Sequence, residues 1–96
     1  MKKKIAILGS TGSIGKNLIN IIEKEKNKFQ IDLISAHKDY NTLLRQVKKF
    51  KVKNIIITDP SSYLILKKKT NNLDVNIFNN YRAVSYTHLR AHETLS

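Results

Sequence analysis

An open parallel α/β sheet, strands and helices alternating as βαβαβαβ, is the fold class this sequence predicts. Three observations predict it. A short strand-like stretch, Lys3 to Leu8, with its apolar run at Ile5 to Leu8, ends in glycine and leads into residues with helical apolar spacing. Asn54 to Thr58 (NIIIT) is a continuous β-branched run of the kind parallel sheets bury on both faces. Aspartates stand at the starts of two later helical patterns, so strands and helices alternate through short links, which favours right-handed crossovers in one parallel sheet.

The elements follow in order. KKIAIL, residues 3–8, reads as a short buried strand. Glycines at positions 9, 12 and 15 make a tight turn, after which Ile14, Leu18, Ile21 and Ile22 recur at helical spacing; the helix stops near Lys26 to Lys28, whose charges complement its C-terminal dipole. FQIDLIS, residues 29–35, is a second strand with Phe29, Ile31 and Leu33 on one face and Ile34 beside them. Asp39 is the N-cap of a second helix with an apolar stripe of Leu43, Leu44, Val47 and Phe50. After the strand at 54–58, Asp59-Pro60 supplies an N-cap and a proline at N1 for a helix to about Lys69. A turn at Asn71-Asn72 leads to a fourth strand, Leu73 to Phe78.

Composition bounds what such a domain does. At 96 residues the chain holds one small domain at most, and a parallel sheet covered on both faces normally needs more, so a small module or a piece of something larger is expected. The absence of cysteine excludes disulfides, thiolate metal sites and a thiol nucleophile. The apolar run at Ile5 to Leu8 is too short for a signal-peptide core, and no run approaches a membrane span; a cytoplasmic location is expected. The formal net charge of +11 invites a nucleic-acid reading. Its lysines, however, are spread over Lys2 to Lys4, Lys24 to Lys28, Lys48 to Lys53 and Lys67 to Lys69, at expected element ends, without interleaved stacking aromatics. Heavy use of Lys, Asn and Ile also matches an AT-rich coding sequence.

That usage stops abruptly. Residues 1–82 contain 15 Lys, 13 Ile and 10 Asn, and residues 83–96, AVSYTHLRAHETLS, contain none of the three. The string SYTHLRAHET resembles a translated sequencing-adapter read-through. The expected organisation is a partial domain over residues 1–82 and a non-native or disordered tail over 83–96 that does not pack on it. His88 and His92 have the i,i+4 spacing of a metal pair, but a zinc site needs at least one further ligand, so they are read as part of that tail.

The glycine turn carries the chemistry. A P-loop needs glycine, four residues, then Gly-Lys-Ser/Thr. Here Gly15-Lys16 is followed by Asn17, and Ser10 stands where the first glycine belongs, so the mononucleotide reading fails. In the Rossmann-type fingerprint the second glycine lets backbone approach a pyrophosphate and the third permits close helix packing, roles open to Gly12 and Gly15. The first glycine sits one place early, giving G-x-x-G-x-x-G, a spacing found among NADP-using relatives of that fold. A pyrophosphate would lie against the N–H groups of Thr11 to Ile14 at the helix N-terminus, with the hydroxyls of Thr11 and Ser13 in reach. A second clue is independent: NAD sites place an acid near the end of the second strand, whereas this strand ends Ser35-Ala36-His37-Lys38. Lys38 suits a 2′-phosphate, with Ser35 or His37 assisting, and NADP is favoured over NAD. Asp39 is the nearest acid.

KIAILGSTGSIGKN, and ILGSTGSIG within it, resembles the start of the 1-deoxy-D-xylulose 5-phosphate reductoisomerase family. The likeness extends over about residues 3–78, through Phe29 to Lys38, the run at 54–57 and the helix after Pro60. The resemblance implies the N-terminal part of a Rossmann-like NADPH-binding domain. It assigns Thr11, Gly12, Ser13 and Ile14 to the pyrophosphate, and His37, Lys38 and Asp39 to the adenosine 2′-phosphate, where the family usually has Gly-Lys-Asn. His37 adds bulk there and Asp39 adds negative charge. In the family, 1-deoxy-D-xylulose 5-phosphate is isomerised and reduced by NADPH to 2-C-methyl-D-erythritol 4-phosphate, in non-mevalonate isoprenoid biosynthesis. Full-length members are expected to be homodimers that use Mg²⁺ or Mn²⁺, an Asn-Lys-Glu segment near the nicotinamide, acidic metal ligands and a mobile loop. None of those segments stands in this sequence, so no catalytic or metal-binding residue is assigned, and no membrane partner is expected. Two other readings stay open: an NAD(P)-dependent oxidoreductase for another substrate, and a basic nucleic-acid-binding module.

Overall fold

The computed structural model describes residues 3–25, 27–80 and 93–95. In chain order these form β1 (Lys3–Ile7), α1 (Ser13–Lys24), β2 (Phe29–Ala36), α2 (Tyr40–Phe50), β3 (Asn54–Ile57), α3 (Pro60–Lys69), β4 (Asn76–Phe78) and β5 (Glu93–Leu95). The strands make one parallel sheet in the order β4-β3-β2-β1-β5.

The topology explains where the helices go. Each step from β1 to β4 moves in the same direction across the sheet, so right-handed crossovers deliver α1, α2 and α3 to one face. Against that face Ile5, Ile7, Ile31, Ile34, Ile55 and Ile57 pack on Ile19 and Ile22 of α1, Leu43 and Val47 of α2 and Leu66 of α3. Ala6, Leu33 and Ile56 point the other way and form a second buried cluster with Leu8 and Phe78. Burying each of these larger side chains stabilises the fold by about 2 kcal/mol, and the β-branched run of β3 feeds both layers, as its sequence predicts.

Three expectations are corrected. Leu33 does not share a face with Ile31. The register of β1 on β2 slips between Ile5 and Ala6, pairing Ile5 with Ile31 but Ala6 with Leu33, so Asp32 is an extra residue in β2. This bulge puts Ile31 and Ile34 together under the helices and turns Leu33 to the opposite face. The bulge is bridged by Asn54, which is 4% exposed and whose amide donates to the Asp32 backbone carbonyl at 3.1 Å and carboxylate at 3.3 Å. The fourth strand is shorter than expected: Leu73 closes the turn after α3, its N–H donating to the Thr70 carbonyl, and pairing begins at Asn76. Finally, the composition break predicts that the tail stands apart, yet Glu93–Leu95 run parallel to β1, pairing Ile5 with Glu93 and Ile7 with Leu95. The sheet therefore has five strands rather than four. Tyr86 to His92, including His88 and His92, lie outside the described residues.

Among the described residues no helix is long and apolar enough to cross a membrane. The helix C-termini carry Lys24, Lys48, Lys49 and Lys67 to Lys69, where cations complement the macrodipole. Helices antiparallel to their strands put these lysines at the sheet edge opposite the glycine turn.

Candidate functional site

Strand order reverses at β1: β2 lies on one side, and β5, which comes last in the chain, on the other. In open α/β sheets ligands bind beyond the carboxyl ends of the strands. The glycine turn stands at that end of β1.

Its three glycines are there for three different reasons. Gly9 has φ +71°, a conformation that residues with a Cβ rarely adopt. Gly15 lies inside α1 against the turn, where a Cβ would come within 2.1 Å of the Gly9 carbonyl oxygen and 2.6 Å of the Ser10 Cα; only glycine lets helix and turn touch. Gly12 differs from both. Its φ is −78°, and a Cβ would meet only the Gly9 carbonyl oxygen, at an ordinary 3.6 Å. The fold itself does not require glycine at position 12.

Gly12 is also the N-cap of α1, and no side chain caps that helix, whereas α2 is capped by Asp39, accepting from the Thr42 N–H, and α3 by Asp59, accepting from the Ser62 N–H. None of the three helices carries an acid in its first turn. The start of α1 thus presents N–H groups and partial positive charge beside a backbone without a Cβ. Those features suit an anion such as a pyrophosphate, so the residues present fit a dinucleotide. Around this point Gly12, Ser13 and Ile14 are exposed and Thr11 is half-buried; Ile14 keeps 68% of its surface in solvent.

The second half of the candidate site is laced to the first. The Gly9 N–H donates to Ser35 Oγ and the Ser10 N–H to the Ser35 carbonyl, both at 2.9 Å, so the turn hangs on the end of β2. Two residues on, the backbone at His37 and Lys38 is pinned from β3 and α3: the Asp59 N–H donates to the His37 carbonyl at 2.9 Å and Ser62 Oγ to the Lys38 carbonyl at 3.0 Å. His37 Nδ1 lies 2.7 Å from Thr58 Oγ1, which draws the imidazole toward β3. The His37 and Lys38 side chains remain exposed at the same sheet edge as the glycine turn.

Asp39 does not simply add charge there. Its carboxylate accepts from the Thr42 N–H at 3.1 Å, and its pKa is held below the ordinary carboxylate value by hydrogen bonding to Thr42, with Lys16 and Arg45 contributing charge. Asp59 is lowered in the same sense, chiefly by the Ser62 backbone N–H and hydroxyl, with Lys38 and His37 nearby. Both acids are engaged with helix starts.

The structure thus brings all seven sequence-predicted positions, 11–14 and 37–39, to one edge. It also reveals supports the sequence reading did not single out: Ser10, Thr58, Ser62 and above all Gln46. Gln46 sits on the buried stripe of α2 between Leu43 and Val47, and a carboxamide at an otherwise apolar helical position is a signal that marks it. Among the described residues no group of three or more His, Asp or Glu could hold a metal ion.

A glycine turn that joins the first strand to an uncapped helix start, at the carboxyl edge of an open parallel sheet, defines the class of Rossmann-like α/β domains. Comparison with known proteins narrows it. The family model for 1-deoxy-D-xylulose 5-phosphate reductoisomerase matches residues 5–94, and the chain belongs to that family. The 1-deoxy-D-xylulose 5-phosphate reductoisomerase of Pelagibacter ubique (strain HTCC1062) is 48% identical over 83 residues, covering 86% of this chain and 21% of the relative. Two solved structures superpose well. One, the reductoisomerase from Zymomonas mobilis in complex with NADPH, gives a TM-score of 0.76 at 28% identity over 81% of this chain and 21% of that one. The other, DOX-P reductoisomerase in complex with NADPH, fosmidomycin and magnesium, gives 0.78 at 29% over 84% and 20%. The chain spans about a fifth of the length of the curated relatives it matches.

Proposed function

We propose that this chain is the cofactor-binding start of a 1-deoxy-D-xylulose 5-phosphate reductoisomerase and that its glycine turn holds the pyrophosphate of NADPH. The observation that carries this reading is Gly12, a glycine the fold does not need, at the uncapped start of α1. Thr11, Gly12, Ser13 and Ile14 receive the pyrophosphate through the backbone N–H groups of Thr11, Ser13 and Ile14, the close approach that Gly12 allows, the Thr11 and Ser13 hydroxyls, and the exposed surface of Ile14. Lys38 pairs with the adenosine 2′-phosphate, His37 flanks it, and Asp39 sits at the start of α2 with its charge directed to Thr42. When bound, NADPH supplies the hydride that reduces the isomerised sugar phosphate. This chain's residues bind and orient the carrier of that hydride.

The metal ligands, the Asn-Lys-Glu segment and the loop over the substrate belong, on this reading, to the remaining four-fifths of a full-length member. The whole protein would act on 1-deoxy-D-xylulose 5-phosphate with Mg²⁺ or Mn²⁺, as a cytoplasmic homodimer. Family membership supports those assignments. The composition break near residue 82 supports reading residues 1–82 as part of the NADPH-binding domain and 83–96 as of different origin. Sequencing the locus beyond the codon for Asn80 tests this: a frame that runs on into the Asn-Lys-Glu segment is expected, and a frame that continues through AVSYTHLRAHETLS contradicts it.

Calorimetric titration of the chain with NADPH and NADH tests the cofactor reading. NADPH is expected to bind more tightly; Gly12→Val is expected to abolish binding by crowding the pyrophosphate, and Lys38→Glu to remove the preference for NADPH. Tighter binding of NADH, or unchanged binding by Gly12→Val, contradicts the reading.

A further inference from the structure

Buried polar groups are costly unless their hydrogen bonds are made, so a buried carboxamide on an apolar helix stripe calls for an explanation. Gln46 is 8% exposed, on α2, and its carboxamide is bonded at both its nitrogen and its oxygen to one residue of the glycine turn, Ser10, which is completely buried. Gln46 Nε2 donates to the Ser10 carbonyl at 2.9 Å, and Gln46 Oε1 accepts from Ser10 Oγ at 2.7 Å. Because a carbonyl only accepts, the amide has one workable orientation, and both of its ends are used on a single partner 36 residues away. Ser10 in turn rests on β2, its N–H donating to the Ser35 carbonyl at 2.9 Å.

We propose that Gln46 is a positioning residue for cofactor binding: its two-point clasp on Ser10 fixes the glycine turn relative to α2 and so sets the distance between the two anionic subsites. This rests on the cofactor reading above. The geometry makes the connection direct. Ser10 lies between Gly9, whose carbonyl accepts from the Gly12 N–H at 3.1 Å, and Thr11, the first of the pyrophosphate positions. Gln46 lies two turns along the helix that begins immediately after Lys38 and Asp39. A rigid helix therefore joins the turn that faces the pyrophosphate to the segment that faces the 2′-phosphate. Leucine at position 46 would fill the core equally well but would leave the Ser10 carbonyl buried without its Gln46 partner and the Ser10 hydroxyl with only the Ser35 carbonyl, at 3.4 Å.

Two measurements on the chain test this, one of them independent of any ligand. In Gln46→Met, which keeps volume and helix propensity, the Ser10 and Gly12 amides are expected to exchange with solvent at least about tenfold faster, while Ile5 to Ile7 of β1 change little. Gln46→Glu, which sets a carboxylate oxygen against the Ser10 carbonyl, is expected to do the same. Ser10→Ala, which keeps the carbonyl half of the clasp, is expected to lie between wild type and Gln46→Met. In binding, Gln46→Met is expected to weaken NADPH by about tenfold and 2′-AMP, which lacks the pyrophosphate, by less than about twofold. General destabilisation would speed exchange throughout β1 and weaken both ligands alike. Unchanged Ser10 and Gly12 exchange in Gln46→Met, or equal losses for NADPH and 2′-AMP, overturns the proposal. Failure of wild type to bind NADPH would instead overturn the cofactor reading, while the exchange result alone decides whether the clasp holds the turn.

Discussion

The three glycines separate the demands of folding from those of binding, one residue at a time. Gly15→Ala forces a methyl to within 2.1 Å of the Gly9 carbonyl oxygen, so α1 must lift off the turn. A loss of about 3 kcal/mol is expected, read from denaturant unfolding. At Gly9 the obstacle is conformational, φ +71°, and Gly9→Ala is expected to cost about 1–2 kcal/mol. At Gly12 the Cβ is accommodated, so Gly12→Ala is expected to lose less than about 1 kcal/mol and yet to weaken NADPH binding markedly. A Gly12→Ala variant as unstable as Gly15→Ala would show that position 12 serves packing. All three glycines are legible in the sequence as a fingerprint; their division of labour is not, because it depends on how closely helix and turn approach.

Caps fix where the helices around the site begin. Asp39 and Asp59 are each read from sequence as N-caps and each accepts from the N–H three residues on. Asp39→Ala is expected to cost about 1 kcal/mol of stability. Both carboxyls have pKa values depressed in the folded state, Asp39 mainly by Thr42 and Asp59 mainly by Ser62. The folded protein therefore binds these protons less readily than the unfolded chain. Their stabilisation is complete above the unfolded carboxylate value, about 3.9, and is lost as pH falls through the lower folded values. An acid unfolding series is expected to show that loss, reduced in Asp39→Ala; a variant with the wild-type pH dependence contradicts it. The C-terminus of α2 ends less well, on Lys51 with φ 55° in the left-handed region. Lys51→Gly is expected to raise the unfolding midpoint, with a gain of up to about 1 kcal/mol. The strand β2 shows what sequence alone misses: simple alternation puts Leu33 beside Ile31, and only the bulge at Asp32 reverses it.

At the scale of the molecule, charge and topology are arranged about one edge. The N-termini of α1, α2 and α3 all open at the carboxyl ends of the strands, and the lysine-rich helix ends lie at the opposite edge. One of those lysines, Lys49, meets Glu23 at 2.8 Å, and Lys53, just before β3, meets Asp74 at 3.4 Å, surface contacts that contribute little to stability. The alternation of elements, the glycine turn and the cluster at 37–39 are legible because each rests on local residue chemistry. The fifth strand and the Ser10–Gln46 clasp are not, because each joins parts of the chain that only the sheet order brings together. Amide chemical shifts followed through a titration with NADPH test the central claim most directly. Binding at the turn is expected to shift Gly9 to Ile14 and Ala36 to Asp39 together and to leave the Lys48 to Lys53 region unmoved. Shifts centred on Lys24 to Lys28 and Lys48 to Lys53, or none at Gly12, would contradict the account.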